Sequence, residues 1–237
     1  MKDRAKYWFA RYNLNMDMPE TTPLESLLML LSLQARDRER PWSDVESLLD
    51  NFTPQIAKDA LMRRDSEDEN PLHYAAWKGP PSMIARILKL APDAARDKDK
   101  MDRLPIHIAV IYNNFDTVKL LMKAYPEGLL ESDNYDRVPL HVATTKETRS
   151  AIAEMLLLVP NAIQKRDARG RLPLHWAALY NNIDVIELLI TMYPGAIVEK
   201  DNDGKTPLDF FNLEAILKLP LVKFSYQALK ILDFNPL

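Results

Sequence analysis

A proline that returns every 34 residues constrains this chain more than any other feature of it. Pro71, Pro105, Pro139, Pro173 and Pro207 form the series. Self-similarity at such a period means a stack of small units, each resting on its neighbours, and not one globular core. Six residues before each marker stands an aspartate: Asp65, Asp99, Asp133, Asp167 and Asp201. Two after it comes a histidine in four of the five copies, His73, His107, His141 and His175, and these are all the histidines of the chain. Residues 167–178, DARGRLPLHWAA, hold the unit at its most complete.

Local chemistry fills in the unit. Between aspartate and proline the chain must reverse, and three residues before the marker stand Gly170 and Gly204, where a positive φ is easy. Asp68, Asp102 and Asp136 hold that place in the other copies, and a short polar residue tolerates the left-handed region, so a reversal is predicted in all five. Proline starts the first helix, because its missing N–H falls where a helix has no partner for one. Ala75, Ala109, Ala143 and Ala177 follow four residues later and let neighbouring helices approach closely. Gly79, Asn113 and Asn181 are placed to end that helix in a left-handed cap. Apolar pairs at helical spacing, such as Ile186 with Leu189 and Ile190, or Val118 with Leu121 and Met122, mark a second helix. It stops at a second proline ladder, Pro92, Pro126, Pro160 and Pro194. The third unit, where Glu147 breaks the pattern, is the least regular.

The unit P-[LI]-H-x-A resembles the ankyrin repeat over roughly residues 65–210. The resemblance implies an all-α solenoid of stacked helix pairs with short β-hairpin fingers. It sets four regular repeats within residues 65–206, at about 65–98, 99–132, 133–166 and 167–200. Residues 1–64 become an N-terminal segment with a degenerate capping repeat around Pro23, a charged insertion over residues 35–44 and a helix near residues 45–52. Residues 201–237 become a degenerate C-terminal cap, with Asp209 in place of the fifth histidine. The period departs from the usual ankyrin length of about 33 residues, and the Tyr-Pro-x turn, as at Tyr193-Pro194-Gly195, supplies the difference. Tetratricopeptide repeats share the 34-residue period, but their Trp and Leu-Gly signature is missing here. A second departure concerns helix capping. The family pattern has threonine before the marker, whereas this chain has Asn70 and Thr206 at the ends but Leu104, Val138 and Leu172 between them. Losing an N-cap oxygen costs about 0.5–2 kcal/mol per helix. The inner histidines are then expected to bond to backbone groups of neighbouring loops.

Composition removes other classes of function. A net charge of −3 gives no general push toward nucleic acid. Cysteine is absent, so neither disulfides nor thiolate metal sites can form, which fits an intracellular, cytoplasmic setting. No apolar run approaches the roughly 18 residues of a membrane span; the run at residues 27–31 is five long. No cofactor is expected, since the five glycines form neither a G-x-G-x-x-G pattern nor a P-loop. The histidines recur once per unit, as packing residues do and catalytic ones do not. Asp201-Asn202-Asp203-Gly204 faintly suggests a calcium loop, but Phe210 falls where the closing acid belongs. Asn51-Phe52-Thr53 matches a glycosylation triplet, yet Pro54 follows and no secretory signal precedes it.

What remains is binding. The resemblance places fingers and first helices on one concave face, where exposed positions are free to vary. Two residues before the marker the fingers carry Glu69, Arg103, Arg137, Arg171 and Lys205, and their tips add Met101, Tyr135 and Arg169. The exposed ends of the first helices carry Trp77 with Lys78, Ile111 with Tyr112, Thr145 with Lys146, and Leu179 with Tyr180. Tyrosine, tryptophan and arginine together are the residue types that dominate interface energies. The expected activity is non-catalytic: a scaffold or adaptor holding a protein or peptide that offers acidic groups around an apolar anchor. Neither nucleic acid, membrane insertion nor a homo-oligomer is expected. The alternative is a structural subunit docked through its apolar C-terminal end, around Leu221, Phe224 and Leu232.

Overall fold

The computed structural model describes residues 42–145 and 149–211. The degenerate repeat around Pro23, residues 35–41 of the charged insertion, Lys146, Glu147 and the apolar stretch 212–237 lie outside the described residues. Two compact units divide between Gly128 and Leu129.

In the first unit α1 (Ser43–Asp50) and α2 (Pro54–Leu61) precede two helix pairs, α3 (Pro71–Lys78) with α4 (Pro81–Leu90) and α5 (Pro105–Ile111) with α6 (Phe115–Ala124). First helices pack on first helices, α3 on α5, while second helices pack on second, α4 on α6, with α2 continuing the series against α4. The second unit repeats the scheme with α7 (Pro139–Ala143), α8 (Arg149–Leu158), α9 (Pro173–Leu179) and α10 (Ile183–Met192). There α7 packs on α9 and α8 on α10, and a 3-10 turn at Pro207–Phe210 lies against α9.

Each first helix begins at its marker proline, and Ala75, Ala109, Ala143 and Ala177 are fully buried, as close helix approach requires. The second proline ladder starts a 3-10 turn in every repeat, at Pro92–Arg96, Pro126–Leu129, Pro160–Gln164 and Pro194–Val198. The residue before each proline is driven out of the helical region, as at Tyr193 with φ −140° and ψ 80°. The third repeat is irregular in a definable way. α7 spans five residues, and beyond it the Thr144 and Thr145 hydroxyls bond back to the carbonyls of His141 and Val142.

α2 has no counterpart in the sequence reading, because it stands outside the 34-residue register. Its signals are local: Pro54 is its first residue and the Thr53 hydroxyl accepts the N–H of Ile56 at 3.4 Å. That capping role gives Thr53 a purpose unrelated to the glycosylation triplet.

The fingers differ from expectation in kind. No β-strand occurs among the described residues. Each finger is a tight turn closed by two backbone bonds, as where Asp99 N–H donates to Arg103 O at 3.0 Å and Asp102 N–H to Asp99 O at 2.9 Å. Successive fingers within a unit meet through isolated backbone bonds, Lys100 N–H to Glu67 O in the first unit and Ala168 N–H to Tyr135 O and Asn202 N–H to Arg169 O in the second, which do not build a ladder. The turn position is left-handed in all five copies, with φ from 56° at Asp136 to 76° at Gly204.

Asn113 and Asn181 end their helices left-handed, at φ 62° and 55°. Gly79 does not: it is extended, at φ −74° and ψ 152°. The reason is Pro80, since a residue before proline is pushed toward the extended region. Glycine is needed there for close approach instead, because a Cβ would lie 2.7 Å from the Ala75 carbonyl oxygen.

Candidate functional site

The finger aspartates are buried carboxylates, and a buried carboxylate must be fully partnered. One oxygen serves the turn: Asp133 Oδ1 accepts the N–H groups of Tyr135 and Arg137 at 2.9 and 3.0 Å. Asp65, Asp99, Asp167 and Asp201 bond in the same way. The second oxygen needs a side-chain donor, and the repeats supply it by two routes. The residue three after the marker donates where it can: Tyr74 OH reaches Asp65 at 2.6 Å, and Trp176 Nε1 reaches Asp167 at 2.8 Å. Where that position is Ile108 or Val142, an arginine two before the marker donates instead. Arg103 bonds Asp99 through Nε at 2.7 Å and Nη2 at 2.6 Å. Arg137 bonds Asp133 through Nε at 2.9 Å and Nη2 at 2.6 Å. In the last finger the residue three after the marker is Phe210, and Arg171, released by Trp176 from serving its own aspartate, reaches forward to Asp201 at 3.3 Å.

This pairing is legible in the electrostatics. Burial pushes the Asp133 carboxyl up, but the Arg137 side chain and the N–H groups of Arg137 and Tyr135 outweigh it and hold the group below its ordinary value. Asp201 is likewise lowered against burial, by the Lys205 N–H and then the Arg171 side chain. Glu69, standing where other fingers carry a cation, moves the other way, raised by burial and by the charge of Asp65.

The histidines complete each unit. Nδ1 accepts the backbone N–H at the helix cap, from Leu104 to His107 at 3.1 Å, Val138 to His141 at 3.2 Å and Leu172 to His175 at 3.0 Å. The opposite nitrogen then carries the proton and donates to a finger carbonyl, His141 Nε2 to Arg171 O at 3.0 Å and His175 Nε2 to Lys205 O at 3.2 Å. The bond satisfies the N–H of the capping residue itself and is made equally by Asn70 to His73 at 3.2 Å, and burial lowers the pKa of His73, His141 and His175. A neutral ring whose two nitrogens are committed to backbone is a structural element. Asn70 caps its helix directly, accepting the N–H groups of Leu72 and His73 at 3.0 and 3.1 Å.

The residues proposed from sequence as a binding face are therefore of two kinds. Arg103, Arg137 and Arg171 are tied to buried aspartates, with side-chain exposures of 22%, 23% and 12%. Arg169 and Lys205 are exposed. In the first unit Trp77 and Tyr112 form a tilted ring pair with centroids 5.2 Å apart, and Lys78 Nζ lies 3.9 Å from the Trp77 ring. Met101 and Ile111 are half-buried. In the second unit Leu179 and Tyr180 are exposed, and Lys205 sits 5.6 Å from the Phe210 ring.

The second unit also holds a groove of about 320 Å³ lined by Tyr135, Arg137, Asp167, Ala168, Arg169, Arg171 and Trp176. The Arg137 guanidinium lies 4.9 Å from the Tyr135 ring and 5.8 Å from that of Trp176. Trp176 in turn stacks on Tyr180, at 6.1 Å and 13°. Trp176 is the residue that sequence reasoning missed. Its signal is the position three after the marker, where Tyr74 and Trp176 flank aliphatic Ile108 and Val142 in step with the use of the neighbouring arginine.

Among the described residues no group of acidic or histidine side chains is placed to hold a metal ion, and no helix is long and apolar enough to cross a membrane. A family model described as ankyrin repeats (3 copies) matches residues 72–167 and 140–211, together more than half of the chain. No match is found among curated proteins.

Proposed function

The chain belongs to the ankyrin-repeat family, whose repeats are generally protein–protein interaction modules, and on that premise we propose that it is a non-catalytic scaffold or adaptor that holds a protein or peptide against its fingers and first helices. One observation carries the reading. Large rings and an aliphatic side chain stand half in solvent on those elements, Tyr112 and Tyr135 at 51% exposure, Tyr180 at 55% and Leu179 at 47%. Rigid aromatic groups beside arginine are the common currency of interface hot spots.

Within each unit the labour is divided: Arg103 in the first and Arg137 and Arg171 in the second shape the surface, since their charges are committed to buried aspartates, while Tyr112 in the first and Tyr135, Arg169, Leu179 and Tyr180 in the second meet the partner. An intracellular, cytoplasmic setting belongs to the same reading and fits a chain without cysteine.

The test is affinity capture with the full chain and with a variant carrying Tyr112→Ala, Tyr135→Ala and Tyr180→Ala. These side chains are exposed, so the fold should survive their loss. Recovery of a specific partner by the native chain, reduced at least about tenfold in the variant, supports the proposal. Equal recovery by both removes this face from the function.

A further inference from the structure

Resting on that reading, we infer that the groove of the second unit is a peptide subsite that takes a single carboxylate beside an aromatic or branched aliphatic side chain, with Arg169 as the anion reader and the rings of Trp176 and Tyr135 that line it as the apolar wall.

The acid in the groove is already partnered from below. Asp167 lines it, yet Oδ1 already accepts the N–H groups of Arg169 and Arg171 and Oδ2 accepts the Trp176 indole. The acid is thus buried and saturated, and does not call for a cationic ligand. The same bond turns the polar edge of Trp176 inward. What the indole offers a ligand is the ring surface that lines the groove, beside the stacked Tyr180 and the Arg137 guanidinium, which lies over both the Trp176 and the Tyr135 rings. Such a wall suits a flat or branched apolar side chain.

Charge at the rim decides what accompanies that side chain. Arg137 donates to Asp133 and Arg171 to Asp201, whereas the exposed Arg169 side chain has no ion pair among the described residues. Arg137 and Arg171 are each spent on a buried aspartate and Asp167 is met by neutral donors, so Arg169 is the one arginine lining the groove whose guanidinium is left for a ligand. One carboxylate matches that single cation. A dianionic phosphoryl group would exceed it. A volume of about 320 Å³ lies at the small end of ligand pockets and suits a pair of side chains from a peptide, not a folded surface.

The experiment is selection of a random dodecapeptide phage library on the immobilised full chain, followed by fluorescence polarisation with synthetic copies of the enriched peptides. Enrichment of Asp or Glu within two positions of an aromatic or branched aliphatic residue is expected. Arg169→Glu should weaken binding of such a peptide at least about tenfold. Replacing the peptide's Glu by Gln should weaken it similarly, and the two changes together should do little more than either alone. Tyr135→Ala, which removes wall and not charge, should weaken acidic and Gln peptides alike.

Enriched peptides without an acid, or acidic peptides indifferent to Arg169→Glu, overturn the subsite and leave the scaffold proposal standing. A phosphoserine version binding more tightly than the glutamate version overturns the choice of carboxylate. Failure to enrich any peptide overturns the subsite as well, while the scaffold proposal fails separately, on unchanged partner capture by the triple tyrosine variant.

Discussion

Replacing Arg137 by methionine separates a structural arginine from a binding one. Methionine keeps most of the apolar stem and removes the guanidinium, which leaves Asp133 Oδ2 without the donors at 2.9 and 2.6 Å. Asp133 is 4% exposed, so water cannot simply replace them. A hydrogen bond to a charged group contributes about 1.5–3 kcal/mol net. Two are lost, but they share one oxygen, Oδ1 keeps its two backbone donors, and a side chain 23% exposed is partly rehydrated when freed. The expected loss is therefore about 2–3 kcal/mol, or roughly 5–10 °C in Tm for a chain of this length. Urea denaturation followed by circular dichroism measures it. The sign with pH is fixed by the lowered carboxyl: the contribution is present in full above the ordinary value of 3.8 and is lost as pH falls through the lower folded-state value. The same logic predicts a rescue. Val142→Tyr places a phenol where Tyr74 stands relative to Asp65, so in the Arg137→Met background it should recover at least about 1 kcal/mol relative to its effect in the native chain. A single Arg137→Met variant within about 0.5 kcal/mol of native would refute the pairing, and would return that arginine to the pool available for binding.

Further outcomes follow from the same geometry. Because burial holds His73, His141 and His175 below the ordinary value of 6.5, the unfolded chain binds more protons than the folded one below that pH. Stability is then full above pH 6.5 and declines as pH falls toward the folded-state values, a drop that urea midpoints at pH 7.5 and 5.5 should register and that equal midpoints would contradict. Gly170→Ala should be more damaging than Gly204→Ala in thermal melts: both force a side chain to positive φ, but only at Gly170 does the new Cβ collide with Asn202. Equal losses would show that the finger contact through Asn202 yields without cost. Arg169→Glu should leave Tm within about 1 °C of native, because the side chain holds no ion pair among the described residues.

The period made the fold legible, since one residue in each copy could be read against four others. The positive φ at Asp68, Asp102 and Asp136 was readable beside Gly170 and Gly204 because turn chemistry is local. So was the turn of the inner histidines toward backbone, which His73 shares although Asn70 supplies a capping oxygen there. Gly79 misled because its neighbour across the peptide bond, Pro80, overrides the left-handed preference of a helix-ending glycine. α2 was missed because it lies outside the register. The arginine column was the deepest ambiguity. Four basic residues in line look like a surface stripe, and only the three-dimensional pairing assigns Arg103 and Arg137 to their own aspartates and Arg171 to the next. Trp176 escaped notice because its position is buried in some repeats, at Tyr74, Ile108 and Val142, and opens to a groove where tryptophan fills it.

The central claim is that a partner lies on fingers and first helices. Hydrogen–deuterium exchange of the full chain, alone and with the partner that it captures, tests this most directly. Slowed exchange should concentrate in finger and first-helix peptides, residues 133–145 and 167–181 foremost. Protection confined to the second helices α8 and α10, or to residues 212–237, would contradict the claim, and in the latter case would point to docking through the C-terminal end.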